Sequence, residues 1–297
     1  MIRVGPAGWS YADWSGPVYP RREPGGFQRL AHIARFVQAV EINSSFYGLP
    51  RASNATKWCE TIAGSPSFRF TAKLLRSFTH EAMPRDEVVW NDLAAGFKAG
   101  IAPLHRAGRL AALLVQFPVT FQFGTVEVDR LHRIHALFSD LPLALEVRHS
   151  SWFEPQGLNV VGGLGYSLVH IDLPHSWDHP PEWHRATGPV GYLRLHGRNS
   201  KDWFRRGAGR DARYDYLYTE AEIEEQARRA ERNAQDCDET YVITTNHFQG
   251  KAMVAALQFM HALSGEAPAA PAELMAAYPQ LDSVTRSQGQ RTFFTDT

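Results

Sequence analysis

Glu41 with Asn43, Arg69 with Lys73, Glu146 with Arg148, His170 with Asp172, and Arg194 with His196 and Arg198 stand at even spacing near the ends of five otherwise apolar runs. Successive side chains of a β-strand point to opposite faces, so each set shares one face and the apolar residues between them take the other. Gathered at one place, these residues could do acid and base work on an anion. Glu146 or Glu41 would serve as general base and His196 or His149 as acid. Lys73, Arg148, Arg194 and Arg198 would hold a phosphate or carboxylate, the arginines through their planar fork. Hydrolysis of a phosphoester or related bond in a small or nucleotide-like substrate is the favoured chemistry. Two alternatives remain open: Glu41 and Glu146 as the acid and nucleophile of a glycoside hydrolase, and a binding protein without catalysis. A bland arrangement is open too, in which the same charges close an ion-pair ring with Asp172. If the cations serve binding, removing Arg194 should hurt binding more than stability.

Other residues extend the site. Trp9, Asn43, Tyr47, Asn246 and His247 fall in loops or strand ends beside the charged set and join it as substrate-binding candidates. Trp9, Tyr11, Trp14, Tyr47, Trp152, Phe153, Trp177 and Trp203 form an aromatic set suited to a lidded cleft, although any one of them could be a packed loop anchor. His80, His149, His170, His196 and His247, with Glu41, Glu146 and Asp172, are ligand types for a divalent metal. No HxH or HExxH spacing appears, and a lysine or arginine beside each candidate would oppose a cation. No metal or other cofactor is therefore expected. Ser44, Ser150 and Ser151 neighbour charged groups, yet no GxSxG elbow surrounds them.

Strands must present these residues together. The pattern predicts eight, over 3–7, 37–42, 68–73, 110–116, 143–148, 166–172, 190–196 and 241–246, and helices over 27–36, 54–62, 90–107, 127–138, 219–236 and 251–263. Thr219 followed by Glu222 reads as a capping box. Eight strand and helix units are best satisfied by a single (β/α)8 TIM-type barrel over 1–264, with some shortened or irregular helical units and polar strand ends at one mouth. An open doubly wound sheet is the rival, but GPAGWS after the first strand lacks the nucleotide-binding fingerprint. Arg3 and Arg69 come too early on their strands for the mouth and are assigned to the floor. The Ala/Pro stretch at 266–272 reads as a linker, so residues 265–297 are expected to form an appendage packed on the barrel.

Composition narrows the partners. The 297 residues carry 31 Lys plus Arg against 31 Asp plus Glu and are 44% hydrophobic. That balance gives no basic footprint for non-specific nucleic-acid binding, so the expected partner is a small anionic substrate. No apolar run reaches the roughly 20 residues a bilayer requires, and the start lacks a signal-peptide pattern, so no membrane partner is expected. Cys59 and Cys237 make no ligand pair, which suits a reducing, cytoplasmic setting. Oligomeric state is left open.

The blocks GWSYADWSGPVYP, VEINSSFYGLP, FRFTAKLLRSFTH, LLVQFPVTF, LEVRHSSW, IDLP and YLRLHGR resemble, in order, the signature blocks of the YecE-like family, the domain of unknown function 72. The resemblance spans about residue 4 to about residue 263. It implies a TIM-type barrel and no established reaction. In the last block Thr245 and Ala255 stand where the family pattern usually has asparagines, which implies a different substrate if those asparagines bind it.

Overall fold

The computed structural model describes residues 1–287. Nine strand segments pair in parallel: β1 (Ile2–Pro6), β2 (Ala39–Ile42), β3 (Arg69–Lys73), β4 (Leu110–Gln116), β5 (Leu143–Glu146), β6 (Ser167–Leu168), β7 (His170–Asp172), β8 (Val190–Leu195) and β9 (Glu239–Thr244). Each of the eight predicted runs contains strand. The fold is α/β and TIM-barrel-like, with parallel strands inside and helices outside.

Strand pairing departs from the expected closed eight-strand barrel. It divides into a five-stranded sheet, β2-β3-β4-β5-β6, and a four-stranded sheet, β1-β9-β8-β7. At one seam the run over 166–172 is broken at Val169, so its first half pairs with β5 and its second with β8. At the other seam β1 and β2 meet through a single bridge, Ala7 to Glu41, flanked by the hydrogen bonds Gly8 N to Glu41 O (2.9 Å) and Gln38 N to Val4 O (3.0 Å). Backbones come very close there. A Cβ on Gly5 would lie 1.7 Å from the Ala39 carbonyl oxygen, so only glycine fits.

Alternation along the strands sorts the apolar residues into two cores. Val40, Ile42, Phe70, Leu113, Val115, Leu145, Leu193, Leu195 and Val242 belong to a large cluster with the helix residues Phe97, Ile134, Ile223 and Leu257. The neighbouring positions Ala39, Ala112, Leu114, Ala144, Tyr192, Tyr241 and Ile243 form a second, smaller cluster enclosed by the strands. Three alanines at inner positions leave room for two tyrosines. The inner positions at the C-terminal strand ends are polar: Glu41, Gln116, Glu146 and Arg194, all buried.

Helices Ala52–Thr61, Glu87–Arg106, Thr125–Phe138, Glu220–Ala234 and Lys251–Ser264 follow the predicted spans closely. The capping box is present: Glu222 N donates to Thr219 Oγ1 (3.3 Å) and Thr219 N to Glu222 Oε2 (2.9 Å). Helix Pro155–Gly163 was not predicted, because PQGLNVVGG carries four weak helix formers and no apolar stripe. Beyond Gly265, Leu274 and Leu281 bury themselves in the large core, and Ala269–Ala270 pairs with Arg286–Ser287. The expected appendage over 265–297 runs outside the described residues from 288 onward. No helix among the described residues is long and apolar enough to cross a membrane.

Candidate functional site

Arg194, near the C-terminal end of β8, stands between two carboxylates carried by the opposite sheet. Its Nε and Nη2 donate to Glu41 Oε2 (3.1 Å) and Oε1 (2.7 Å), and its Nη1 donates to Glu146 Oε2. Arg148 Nε donates to Glu146 Oε1 (2.8 Å). Tyr192 Oη donates to Glu41 Oε2 (2.9 Å) and lies 2.8 Å from Thr71 Oγ1, which donates to it in turn. His196 Nε2 stands 3.4 Å from Glu146 Oε1 without hydrogen-bond alignment, while its Nδ1 lies 2.8 Å from Thr245 Oγ1. Residues on or directly after five strands thus converge. Tyr192 and Thr71 escaped the sequence reading although both share parity with the charged residues of their runs.

Electrostatics favour a fixed charge pattern at this centre. Burial alone would push the Glu146 carboxyl up, but Arg194, then Arg148 and His196, outweigh it and hold it well below the usual carboxylate range. Burial pushes the His196 imidazole down to about 3 despite Glu146, so it is neutral at pH 7. Glu146 is therefore a poor general base, and neither carboxylate has an oxygen without a donor. A glycoside hydrolase needs one carboxyl protonated as acid, a role that Arg194 and Arg148 oppose at Glu146.

Lys73 ends β3 beside this centre and differs from its neighbours. Its Nζ lies 4.0 Å from the centroid of the Phe46 ring, and among the described residues it has no hydrogen-bond acceptor or carboxylate partner. Burial, then the charge of Arg194, lowers its ammonium to about 7, with Glu41 and Glu146 opposing. A cavity of about 340 Å³ opens in front of it, lined also by Trp9, Tyr11, Asn43, Tyr47, Arg194, Arg210, Tyr214, Thr245 and His247. His247 stacks on Tyr11 at 4.5 Å, and among the described residues neither of its ring nitrogens has a hydrogen-bond partner. Burial, then Arg210, lowers its imidazole to about 4. Arg210 and Tyr214 come from the irregular segment after β8, where no periodicity marked them in advance.

A larger groove of about 610 Å³ lies between the helices Glu220–Ala234 and Lys251–Ser264, lined by Ile223, Ala227, Gln258, His261 and Val284. None of the sequence-predicted site residues borders it. The smaller cavity is the candidate site because the unpaired chemistry faces it.

Four expectations need correction. On the sixth strand the parity is the reverse of that predicted: Val169, Ile171 and Leu173 join the inner cluster, while His170 and Asp172 point outward. His170 stacks on His184 at 3.8 Å, and Asp172 accepts from Arg198 Nε (2.8 Å) and Tyr218 Oη (2.5 Å). Both alternations of SLVHID contain apolar residues, so pattern could not choose the face. Arg198 leaves the mouth because Gly197, at φ 87°, turns the chain, and its Nη2 donates to Glu225 Oε1 (3.0 Å) on the outer helix. His149 also stands apart, its Nδ1 2.8 Å from Ser151 Oγ and its Nε2 3.6 Å from Asp178. Asn246 is fully buried, donates from Nδ2 to Tyr216 O (2.9 Å) and does not line the cavity. Arg3 pairs with Glu239 at 2.5 Å at the opposite end of the strands, where Arg69 also donates to local carbonyls. Among the described residues no three His, Cys, Asp or Glu side chains gather to hold a metal ion.

Comparison with known proteins places this geometry in a family. The protein YunF of Bacillus subtilis, named as a UPF0759 protein, is 29% identical over 284 residues, covering 90% of this chain and 98% of its own length. YecE of Escherichia coli K12, likewise named UPF0759, is 30% identical over 191 residues, covering 59% of this chain and 63% of its own. Crystal structures of DUF72 family proteins from Enterococcus faecalis and Thermotoga maritima superpose with TM-scores of 0.75 and 0.74 at 28% and 29% identity, each covering 89% of this chain and 95% and 99% of theirs. The structure of SacUVDE superposes with a TM-score of 0.51 at 12% identity over 89% of this chain and 99% of its own, a likeness of fold alone. The family described as "Protein of unknown function DUF72" matches residues 3–278, and with the strand-end blocks and the fold in agreement, the chain belongs to the DUF72 family.

Proposed function

We propose that the two parallel sheets act as one (β/α)8 barrel and that the chain is a cytoplasmic enzyme binding a small or nucleotide-like anionic substrate in the cavity before Lys73. Phosphoester-type hydrolysis is the reaction best suited to it. One observation carries the reading: Arg194 and Arg148 are balanced by Glu41 and Glu146, so Lys73 is left as a surplus cation facing the cavity. A cation without a partner in a low-dielectric wall attracts an anion strongly. Aromatic rings at Trp9, Tyr11, Tyr47 and Tyr214 border the same space and suit a flat ring on the substrate. With Glu41, Glu146 and His196 engaged, proton transfer falls to His247, a neutral imidazole on the cavity wall with no hydrogen-bond partner among the described residues. The unpaired Cys59 and Cys237 suit a reducing compartment.

Calorimetry with inorganic phosphate and turnover of p-nitrophenyl phosphate test this. Lys73→Met should lose phosphate binding by about tenfold or more while keeping its thermal unfolding transition, and binding by the parent should weaken as pH rises through about 7. Parent protein that binds neither phosphate nor sulfate would overturn the anionic-substrate reading.

A further inference from the structure

The chain has five lysines, and they differ sharply in surroundings. Lys57 and Lys201 are exposed. Lys98 pairs with Asp140 at 3.2 Å, and Lys251 pairs with Asp215. Lys73 is half-buried, and among the described residues it is the one lysine that is neither exposed nor paired with a carboxylate. Its Nζ rests over the Phe46 ring, and the residue lines the cavity. The charged and titratable groups around it come from four elements: Arg194 from β8, Glu41 from β2, Glu146 and Arg148 from the end of β5, and the neutral His80 from the segment after β3. Arg194 cannot leave, because buried carboxylates hold all three of its nitrogens. A desolvated lysine beside a fixed cation is the environment that turns an ammonium into a nucleophilic amine at neutral pH.

We propose that Lys73 is a covalent catalytic residue that forms an imine with a small aldehyde or ketone bearing a phosphate or carboxylate group. The proposal rests on the anion site argued above and names a substrate class for it. In the step, the Nζ lone pair attacks the carbonyl carbon and a C–N bond forms as the C=O π electrons move to oxygen. The two protons of the amine pass to that oxygen, which departs as water, and a C=N bond stands where the C=O bond was. No electrons enter or leave, so the step needs no oxidant or reductant. Burial, then the fixed guanidinium of Arg194, lowers the ammonium to about 7, so near pH 7.5 both the cation that draws the anion in and the amine that attacks are populated, and the cavity, at about 340 Å³, admits a compound of the size of a three- to five-carbon phosphate.

Reductive trapping tests it on the full chain. The protein is incubated at pH 7.5 with pyridoxal 5′-phosphate, or with the much smaller glyoxylate, in sodium cyanoborohydride, and lysine adducts are mapped by peptide mass spectrometry. The adduct should concentrate on Lys73, at least about tenfold faster than on Lys57 or Lys201, and excess inorganic phosphate should protect it. Lys73→Arg should abolish that adduct while retaining phosphate binding. If neither probe labels Lys73 faster than Lys201, the imine proposal is overturned, and phosphate binding measured in the same samples would leave the anion site standing. If plain pyridoxal labels Lys73 as fast as its phosphate ester and phosphate gives no protection, the amine is reactive and the anion site is what fails.

Discussion

Two arginines four positions apart on one run, Arg194 and Arg198, build charge clusters on opposite faces of the sheet. Arg194 points inward, is 5% exposed, and joins Glu41 and Glu146, whose side chains are fully buried. Arg198 points outward, is 25% exposed, and joins Asp172 with Glu222 and Glu225 on a helix rich in glutamate. Similar ion-pair chemistry therefore has different consequences. Water can replace a lost partner in the outer cluster, whereas nothing can in the inner one.

The sharpest way to separate the clusters is to delete each cation. Arg194→Met leaves two buried carboxylates without their shared donor and should cost about 3–5 kcal/mol in urea unfolding. A loss below about 1 kcal/mol would show that the inner cluster is wetter than its burial implies. This reverses the expectation that removing Arg194 affects binding more than stability, because its nitrogens are held by protein and not offered to a ligand.

Acid should unfold the chain through its buried histidines. Burial is the first cause lowering His196 to about 3, His184 to about 4 and His170 to about 2, against an ordinary value near 6.5. Each folded-state value lies below the unfolded one, so the unfolded chain takes up protons first. Stability is whole above about pH 6.5 and falls as pH drops toward about 4, by up to about 1.4 kcal/mol per unit for each histidine that stays neutral. His170→Phe should flatten part of that slope in thermal melts at pH 4.5 to 7, and an unchanged slope would remove His170 from the account.

A smaller effect belongs to the tyrosine that supports the inner cluster. Tyr192→Phe takes one donor from Glu41 and leaves Thr71 without its acceptor, which should cost about 1–3 kcal/mol with no change in the cavity-lining residues. Smallest is Arg198→Met, expected at about 1 kcal/mol or less and diminishing in high salt, as an accessible pair should. A larger, salt-independent loss would mean that Asp172 and Tyr218 depend on it as a buried unit.

Much of the architecture was legible. Runs such as ALEVR and YLRLHGR announce strands because β-type alternation is local, and their inner residues Glu41, Glu146 and Arg194 followed from parity alone. Boundaries slipped where local signals were weak: β9 begins at Glu239, two residues before its predicted start, and Pro155–Gly163 is helical despite its glycines. The sixth run shows the limit. SLVHID carries apolar residues on both alternations, so its two faces were indistinguishable until the outer arginine and tyrosine were in place.

Sequence by itself determined which residues sit at strand ends and which share a face within each strand, because a period of two depends only on neighbouring backbone geometry. It also determined the family, through blocks kept in order along the chain. Tertiary structure alone decided which charges neutralise one another. Glu41 and Arg194 are 153 positions apart and meet only because two sheets bring β2 and β8 to one end. Such pairings engage three of the four expected anion-binding cations: Arg194 with Glu41 and Glu146, Arg148 with Glu146, and Arg198 with Asp172 and Glu225. Among the described residues Lys73 is left facing the cavity without a partner, an outcome set by distances across the fold that no local pattern encodes.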